Sequence, residues 1–279
     1  TDDNGNTSTD SFTVTVQDNV APVAIAQDLT VQLDASGNGS ITGEQANNSS
    51  TDNCGIASME LSQTDFDCDD VGDQTVNLTV TDVNGNTSTA ALTVTVQDNV
   101  APVAIAQDLT VQLDASGNGS ITGTQANNGS TDNCGIASYA VDKTDYTCSD
   151  VGTPSTVTLT VTDDNGNTST DSFTVTVQDN IAPVAIAQDL TVTLDASGNG
   201  SINAAQAENG STDACGINTY AVNQTAFDCD DVGDQTVTLT VTDVNGNEGT
   251  DTFTVTVEDN MAPVVTNPNL PVNLTANND

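Results

Sequence analysis

One string, Asp-Asn-x-Ala-Pro, recurs four times along the chain, and its prolines Pro22, Pro102, Pro183 and Pro263 follow one another every 80 or 81 residues. Self-similarity at a fixed period means that each period is one structural unit, so the fold must be a tandem array. Complete repeats are expected at 20–99, 100–180 and 181–260. Residues 1–19 are identical to residues 162–180 and read as the C-terminal strand of a preceding repeat, while 261–279 read as the start of a following one. The sequence is therefore expected to be a window on a longer array. The extra residue of the middle repeat falls where Val71-Gly72-Asp73-Gln74-Thr75 becomes Val151-Gly152-Thr153-Pro154-Ser155-Thr156, which marks a loop.

Within a repeat the hydrophobic period is two. Phe12-Thr13-Val14-Thr15-Val16, Val76-Asn77-Leu78-Thr79-Val80 and Leu92-Thr93-Val94-Thr95-Val96 alternate apolar and polar side chains, as half-buried strands do. The first repeat predicts strands at 23–33 (broken near Asp28), 40–42, 56–61, 75–81 and 87–96, with one helical turn near 42–47. A Gly-rich turn at 34–39, a loop at 52–55 and an acidic loop at 65–70 separate them. The turn Asp82-Val83-Asn84-Gly85-Asn86 predicts a hairpin, because Asn-Gly supplies positive φ angles. Short strands in units of this size give the expected class: all-β, immunoglobulin-like β-sandwich modules of about 80 residues joined end to end. Phe66, Tyr139 and Tyr220 read as core.

Composition narrows the function. There are 40 acidic residues against one basic residue, Lys143, and no His, for a formal net charge of -39. Nucleic acid and anionic lipid need Lys and Arg to neutralise phosphate, so neither is an expected partner. Nor does any stretch approach the roughly 20 apolar residues of a membrane span. Without His or Arg no Ser-His-Asp or Cys-His nucleophile can be assembled, and a two-carboxylate glycosidase is the one formal enzymatic option. The chain is not expected to be an enzyme.

Six cysteines fall two to a repeat: Cys54 and Cys68, Cys134 and Cys148, Cys215 and Cys229. Two thiolates per repeat with no His cannot complete a zinc site. Free buried thiols and an intra-repeat disulfide remain, and the thin, aromatic-poor core favours the disulfide. Such a loop closure would contribute roughly 3 kcal/mol, and it implies an oxidising, extracellular compartment. One difficulty stands: if Ile56–Leu61 runs straight, Cys68 ends far from Cys54 unless residues 62–68 fold back.

Asp, Asn and Gly cluster at the turns, an oxygen-rich supply that suits Ca²⁺. Each repeat carries a linker, a loop and a hairpin turn of this kind. In the first repeat these offer Asp18 and Asn19, Asp52, and Asp82 and Asn84. Their counterparts are Asp98, Asn99, Asp132, Asp163 and Asn165, then Asp179, Asn180, Asp213, Asp243 and Asn245, and finally Asp259. The last strand starts at the hairpin turn and ends at the next linker, so the turn and the preceding linker are expected at one pole. Carboxylates meeting there with no Lys or Arg would repel without a divalent cation. Asp and Asn also favour turns for purely local reasons. Ala214 replaces Asn53 in the third repeat, so that Asn is not expected to be an essential ligand; Asp67, Asp69 and Asp70 are a weaker candidate, since Ser149 interrupts the set.

The strings at 52–56 (Asp-Asn-Cys-Gly-Ile), 71–86 and 93–102 resemble hyalin-repeat and related bacterial immunoglobulin-like modules, over essentially the whole chain. The resemblance implies a giant secreted surface adhesin, with the array as a calcium-stiffened stalk or filament segment at the cell surface. It also implies calcium between modules, on Asp82, Asp163 and Asp243 with Asp18, Asp98, Asp179 and Asp259. The cysteine pair departs from the general hyalin pattern. Expected partners are neighbouring repeats, with lateral self-association in a filament as a further option. The alternatives are a carbohydrate- or surface-binding array, or a spacer beside a secreted enzyme.

Overall fold

The computed structural model describes residues 1–264, so most of the segment expected to begin a following repeat lies outside the described residues. Compact packing separates two units, one of residues 1–108, 122–143 and 157–173, the other of 109–121, 144–156 and 174 onward.

In the first unit the repeat that begins at the first complete linker contains β1 (Leu29–Gln32), β2 (Gly39–Ser40), α1 (Gly43–Ala46), β3 (Ile56–Leu61), β4 (Asp65–Phe66), β5 (Gly72–Asp82) and β6 (Thr87–Gln97). A single 3-10 turn, Cys68–Asp70, separates β4 from β5. The four-stranded sheet runs β1-β6-β5-β3. β5 and β6 are antiparallel from Gly72↔Val96 to Thr81↔Thr87, and β1 lies parallel to β6. Their alternation sorts side chains by face: Val76, Leu78, Val80, Leu92, Val94 and Val96 point inward and are buried. Ile41, Ala46 and Phe66 close over them from the short pair β2–β4 and from α1. The helical turn forms because Thr42 and Gln45 make a reciprocal capping box, with bonds of 3.3 and 2.8 Å.

The strand anticipated over 23–33 is assigned only at β1; upstream of it Val23 and Ala26 make isolated bridges to Thr51 and Asn47. The hairpin turn needs a positive φ at Gly85 alone, Asn84 having none, because the Asp82 carboxylate braces the loop. The run Phe12–Val16 forms no strand. Alternation is necessary for a sheet but so is a hydrogen-bonded neighbour, and without one among the described residues Phe12 and Val16 stand 87% and 90% exposed.

The next repeat contributes β7 (Leu109–Gln112), β8 (Asn118–Ser120), α2 (Gly123–Ala126), β9 (Ile136–Val141), β10 (Asp145–Thr147), β11 (Ser155–Asp163) and β12 (Thr168–Gln178). In the first unit β9 pairs antiparallel with β11; in the second, β7 lies parallel to β12 and β8 pairs with β10. The inserted residue shows as a turn at Gly152, so β11 starts later than β5 does. The second unit also holds β13 (Leu190–Thr193), β14 (Gly200–Ser201), α3 (Ala204–Ala207), β15 (Ile217–Val222), β16 (Ala226–Phe227), β17 (Gly233–Asp243) and β18 (Glu248–Glu258). Their sheet order, β13-β18-β17-β15, reproduces that of the first repeat. The chain is thus an all-β array of immunoglobulin-like sandwich repeats.

Phe66 is core, as its pattern predicts, and so is Phe227 at the same place in the third repeat. Tyr139 and Tyr220 are not. They stand on β9 and β15, and Tyr220 is 38% exposed because β15 is the edge of its sheet.

Candidate metal centre at the repeat junctions

The geometry of the junctions begins with the hairpin turns. Asp163, at the end of β11, accepts the backbone N–H groups of Asn165 (2.9 Å) and Asn167 (2.8 Å) on Oδ1 and the Asn167 amide on Oδ2 (2.8 Å). The same Asn167 amide, held by Asp163, also donates to the linker carbonyls of Asp98 (3.2 Å) and Val100 (3.4 Å). Asn86 clips Asp18 and Val20 in the same way, and Asn247 clips Asp179. Sequence reasoning passed over Asn86, Asn167 and Asn247, although the invariant last position of the Asp-x-Asn-Gly-Asn turn carried the signal.

The clip draws the carboxylates together. Oxygens of Asp98, Asp132 and Asp163 lie within 4.8 Å of one another, as do those of Asp18, Asp52 and Asp82. In the second unit the corresponding group is Asp179, Asp213 and the Cys215 sulfur, which is spent in the bridge to Cys148 and offers no thiolate; Asp243 is connected through Asn247, which bonds both Asp243 and the Asp179 carbonyl. Asn19 and Asn84 line a hollow of about 230 Å³ beside Asp18, and Asn180 and Asn245 share one of about 300 Å³ beside Asp179. The Asn99 and Asn180 amides turn back to donate to Gln32 and Gln112. The Asn165 backbone joins the Asp163 brace. Asp259 accepts the Met261 N–H at 3.0 Å and joins no acidic group among the described residues.

Several buried oxygens here have no hydrogen-bond partner. Asp98 is 5% exposed; its Oδ1 accepts Val100 N–H (3.0 Å) and its Oδ2 accepts nothing. Asp132 holds Cys134 N–H (2.8 Å) and Gly135 N–H (3.2 Å) on Oδ2, leaving Oδ1 without a donor. Asp52 Oδ1 and Asp179 Oδ2 are in the same state. Buried polar atoms are nearly always paired, so oxygens of several acids left open at one place suit a hard cation. Burial pushes against ionisation of Asp82, yet hydrogen bonds from the Asn86 side chain and the Asn86, Asn84 and Gly85 amides outweigh it and hold that carboxyl below the ordinary range. Asp18 is lowered too, first by the Val20 N–H; the Cys54 thiol against it is pushed up. Asp67 and Asp70 are accounted for locally, as caps of the 3-10 turn.

The cysteines pair differently from the expectation. Cys68 bonds Cys134 and Cys148 bonds Cys215, with Cα separations of 5.2 and 5.1 Å, so each disulfide joins one repeat to the next. Cys54 and Cys229 are unbridged. The intra-repeat pairs Cys54–Cys68, Cys134–Cys148 and Cys215–Cys229 fail because β3 does run straight. Its six residues carry the chain about 20 Å, against the roughly 7 Å within which Cα atoms can be bridged. Residues 62–68 continue away from Cys54 through β4, and Cys68 meets the Asp132-Asn133-Cys134-Gly135 loop instead. Closing a loop of 66 residues is worth about 4 kcal/mol in the chain-entropy model. Disulfide and acidic group are thus built on one loop.

No family model matches the chain. Hyalin of Lytechinus variegatus is 38% identical over 124 residues, which is 42% of this chain and 23% of hyalin; the chain spans less than a quarter of that relative. Among solved structures it is similar to the protocadherin gammaB7 EC3-6 cis-dimer, with a TM-score of 0.32 and 17% identity over 86% of this chain and 78% of that one. Drosophila N-cadherin EC1-4 gives 0.31 and 13% over 86% and 76%. Mouse cadherin-23 EC22-24 gives 0.31 and 12% over 86% and 99%.

Proposed function

We propose that the chain is a structural segment of an extracellular, adhesin-type repeat array, a stalk or filament whose successive repeats are fastened by a disulfide and a calcium ion at each junction. The observation that carries this is the coincidence, on one loop, of the Cys134 bridge and the partnerless Asp132 Oδ1 facing buried Asp98. Disulfides belong to an oxidising compartment, which supports an exported protein. Partial sequence similarity to hyalin supports the hyalin-repeat reading. The bounds 20–99, 100–180 and 181–260 are part of the proposal, as is calcium on Asp18, Asp52, Asp82 and their counterparts. The role asks for no catalysis: repeats that differ little suit a spacer, which gains from length, better than an active site, which does not.

Calcium bound only to the native state stabilises by mass action, about 2.7 kcal/mol at a hundredfold excess over Kd. Chelation with EDTA should therefore lower the melting temperature and change the small-angle scattering profile, both reversed by calcium. Unchanged melting and scattering together with no calorimetric binding would sink the metal reading and leave the acids as solubilising turns.

A further inference from the structure

At the junction of Asp98, Asp132 and Asp163 a fourth side chain has an oxygen to spare. Asn133 is neutral, follows Asp132 directly in sequence and donates to Asp98, two acids already assigned to the group. Its amide nitrogen is fixed by three acceptors, the Asp34 carbonyl (3.2 Å), Asp98 Oδ1 (3.2 Å) and the Cys134 sulfur (3.3 Å). These acceptors also settle which way the amide faces, since the flipped form would set its oxygen against a carbonyl and a carboxylate. Its Oδ1 is buried and has no partner. Asp98 Oδ2 and Asp132 Oδ1 have none either. Three side chains at this junction therefore each present a buried oxygen that no protein donor serves, one of them on Asp98, which is 5% exposed.

The second unit offers a natural comparison. Its junction keeps Asp179 and Asp213 within reach of each other, with the hairpin Asp243 connected through Asn247, but Ala214 stands where Asn133 stands, packed towards Gly117. Of that junction's side-chain oxygens, only Asp179 Oδ2 is buried without a partner. The main-chain scaffold is retained: Cys215 N–H and Gly216 N–H bond Asp213 Oδ2 at 2.7 and 2.9 Å. The second junction thus shares the frame of the first but lacks the Asn133 oxygen, and no Asp243 oxygen joins its close group. Divalent-cation affinity at such sites is set by ligand number and charge.

Resting on the calcium reading above, we propose that Asn133 is a ligand through Oδ1 and that the array holds sites of two strengths, the junction with Asn133 binding calcium more tightly than the junction with Ala214.

The test is calorimetric titration of the oxidised full chain with calcium chloride, for the unaltered protein, Asn133→Ala and Ala214→Asn. Asn133→Ala should weaken one tight site by about tenfold or more, and Ala214→Asn should strengthen the weaker site. The second variant adds an oxygen without removing a junction hydrogen bond, so it does not share the risk that Asn133→Ala misfolds. Terbium luminescence lifetimes in H₂O and D₂O give an independent count, with about one more bound water at the altered site of Asn133→Ala. If the unaltered chain binds no calcium, the function proposed above falls and this inference with it. If it binds calcium and neither variant changes affinity, only the role of Asn133 is overturned.

Discussion

At the scale of single residues, the carboxylates of this chain divide into those that finish a turn and those that keep an oxygen open. Asp195 finishes one: its Oδ1 accepts Asn199 N–H (3.0 Å) and Ser197 N–H (2.8 Å), and these bonds hold its carboxyl below the ordinary range, against a smaller opposing effect of burial. The sign follows from linkage. A group whose folded pKa is depressed contributes stability that is present above its unfolded value and lost as pH falls through the folded one. Carboxyl-carbon NMR should find Asp195 titrating below an unfolded Asp at about 3.9, with the turn amides losing protection together with it. A midpoint at or above the unfolded value would refute the assignment. The acids were visible in the sequence because Asp, Asn and Gly mark turns, but their division was not. Which oxygen of Asp98 or Asp132 lacks a donor depends on backbone amides that converge only after folding, and in the sequence the replacement of Asn53, the counterpart of Asn133, by Ala214 in the third repeat argues against a ligand at that position. That substitution now reads as a difference between sites.

Elements obeyed simpler rules. β5 and β6 were legible because period-two alternation and a Gly turn need nothing beyond themselves, and Phe66 followed from its place between polar neighbours. The run Phe12–Val16 has the same alternation and forms no strand, since pairing is a property of two segments. The disulfides were illegible for a related reason. Spacing shows that cysteines recur, but the direction of β3 decides which pole each reaches. The Gly-rich turn that ends beside each bridge makes this testable. Gly117 has a φ of +76°, and an added Cβ would stand 2.6 Å from the Cys148 sulfur. Gly152 has a φ of +75° and open space around it. Gly152→Ala should cost about 1–2 kcal/mol for the left-handed backbone alone. Gly117→Ala should cost more in denaturant unfolding and should slow formation of the Cys148–Cys215 bridge in peptide mapping. Equal effects of the two variants would show that the turn does not press on the disulfide.

For the molecule as a whole, the bridges rewrite the route by which tension would travel. Pulled from its two ends, the covalent path enters at Cys68, crosses to Cys134, runs to Cys148 and crosses again to Cys215. Everything between the members of each pair, including β5, β6 and the linker that follows them, hangs off that path and bears no load. Each bridge withholds 66 or 67 residues, roughly 230 Å of slack at the extended length per residue. In single-molecule pulling the fully unfolded oxidised chain should be shorter than the reduced one by the slack of both bridges, roughly 460 Å; equal extended lengths in both states would contradict the load path. An array so wired keeps most of the chain between its bridged cysteines in reserve, and becomes a longer elastic tether when the bridges are reduced.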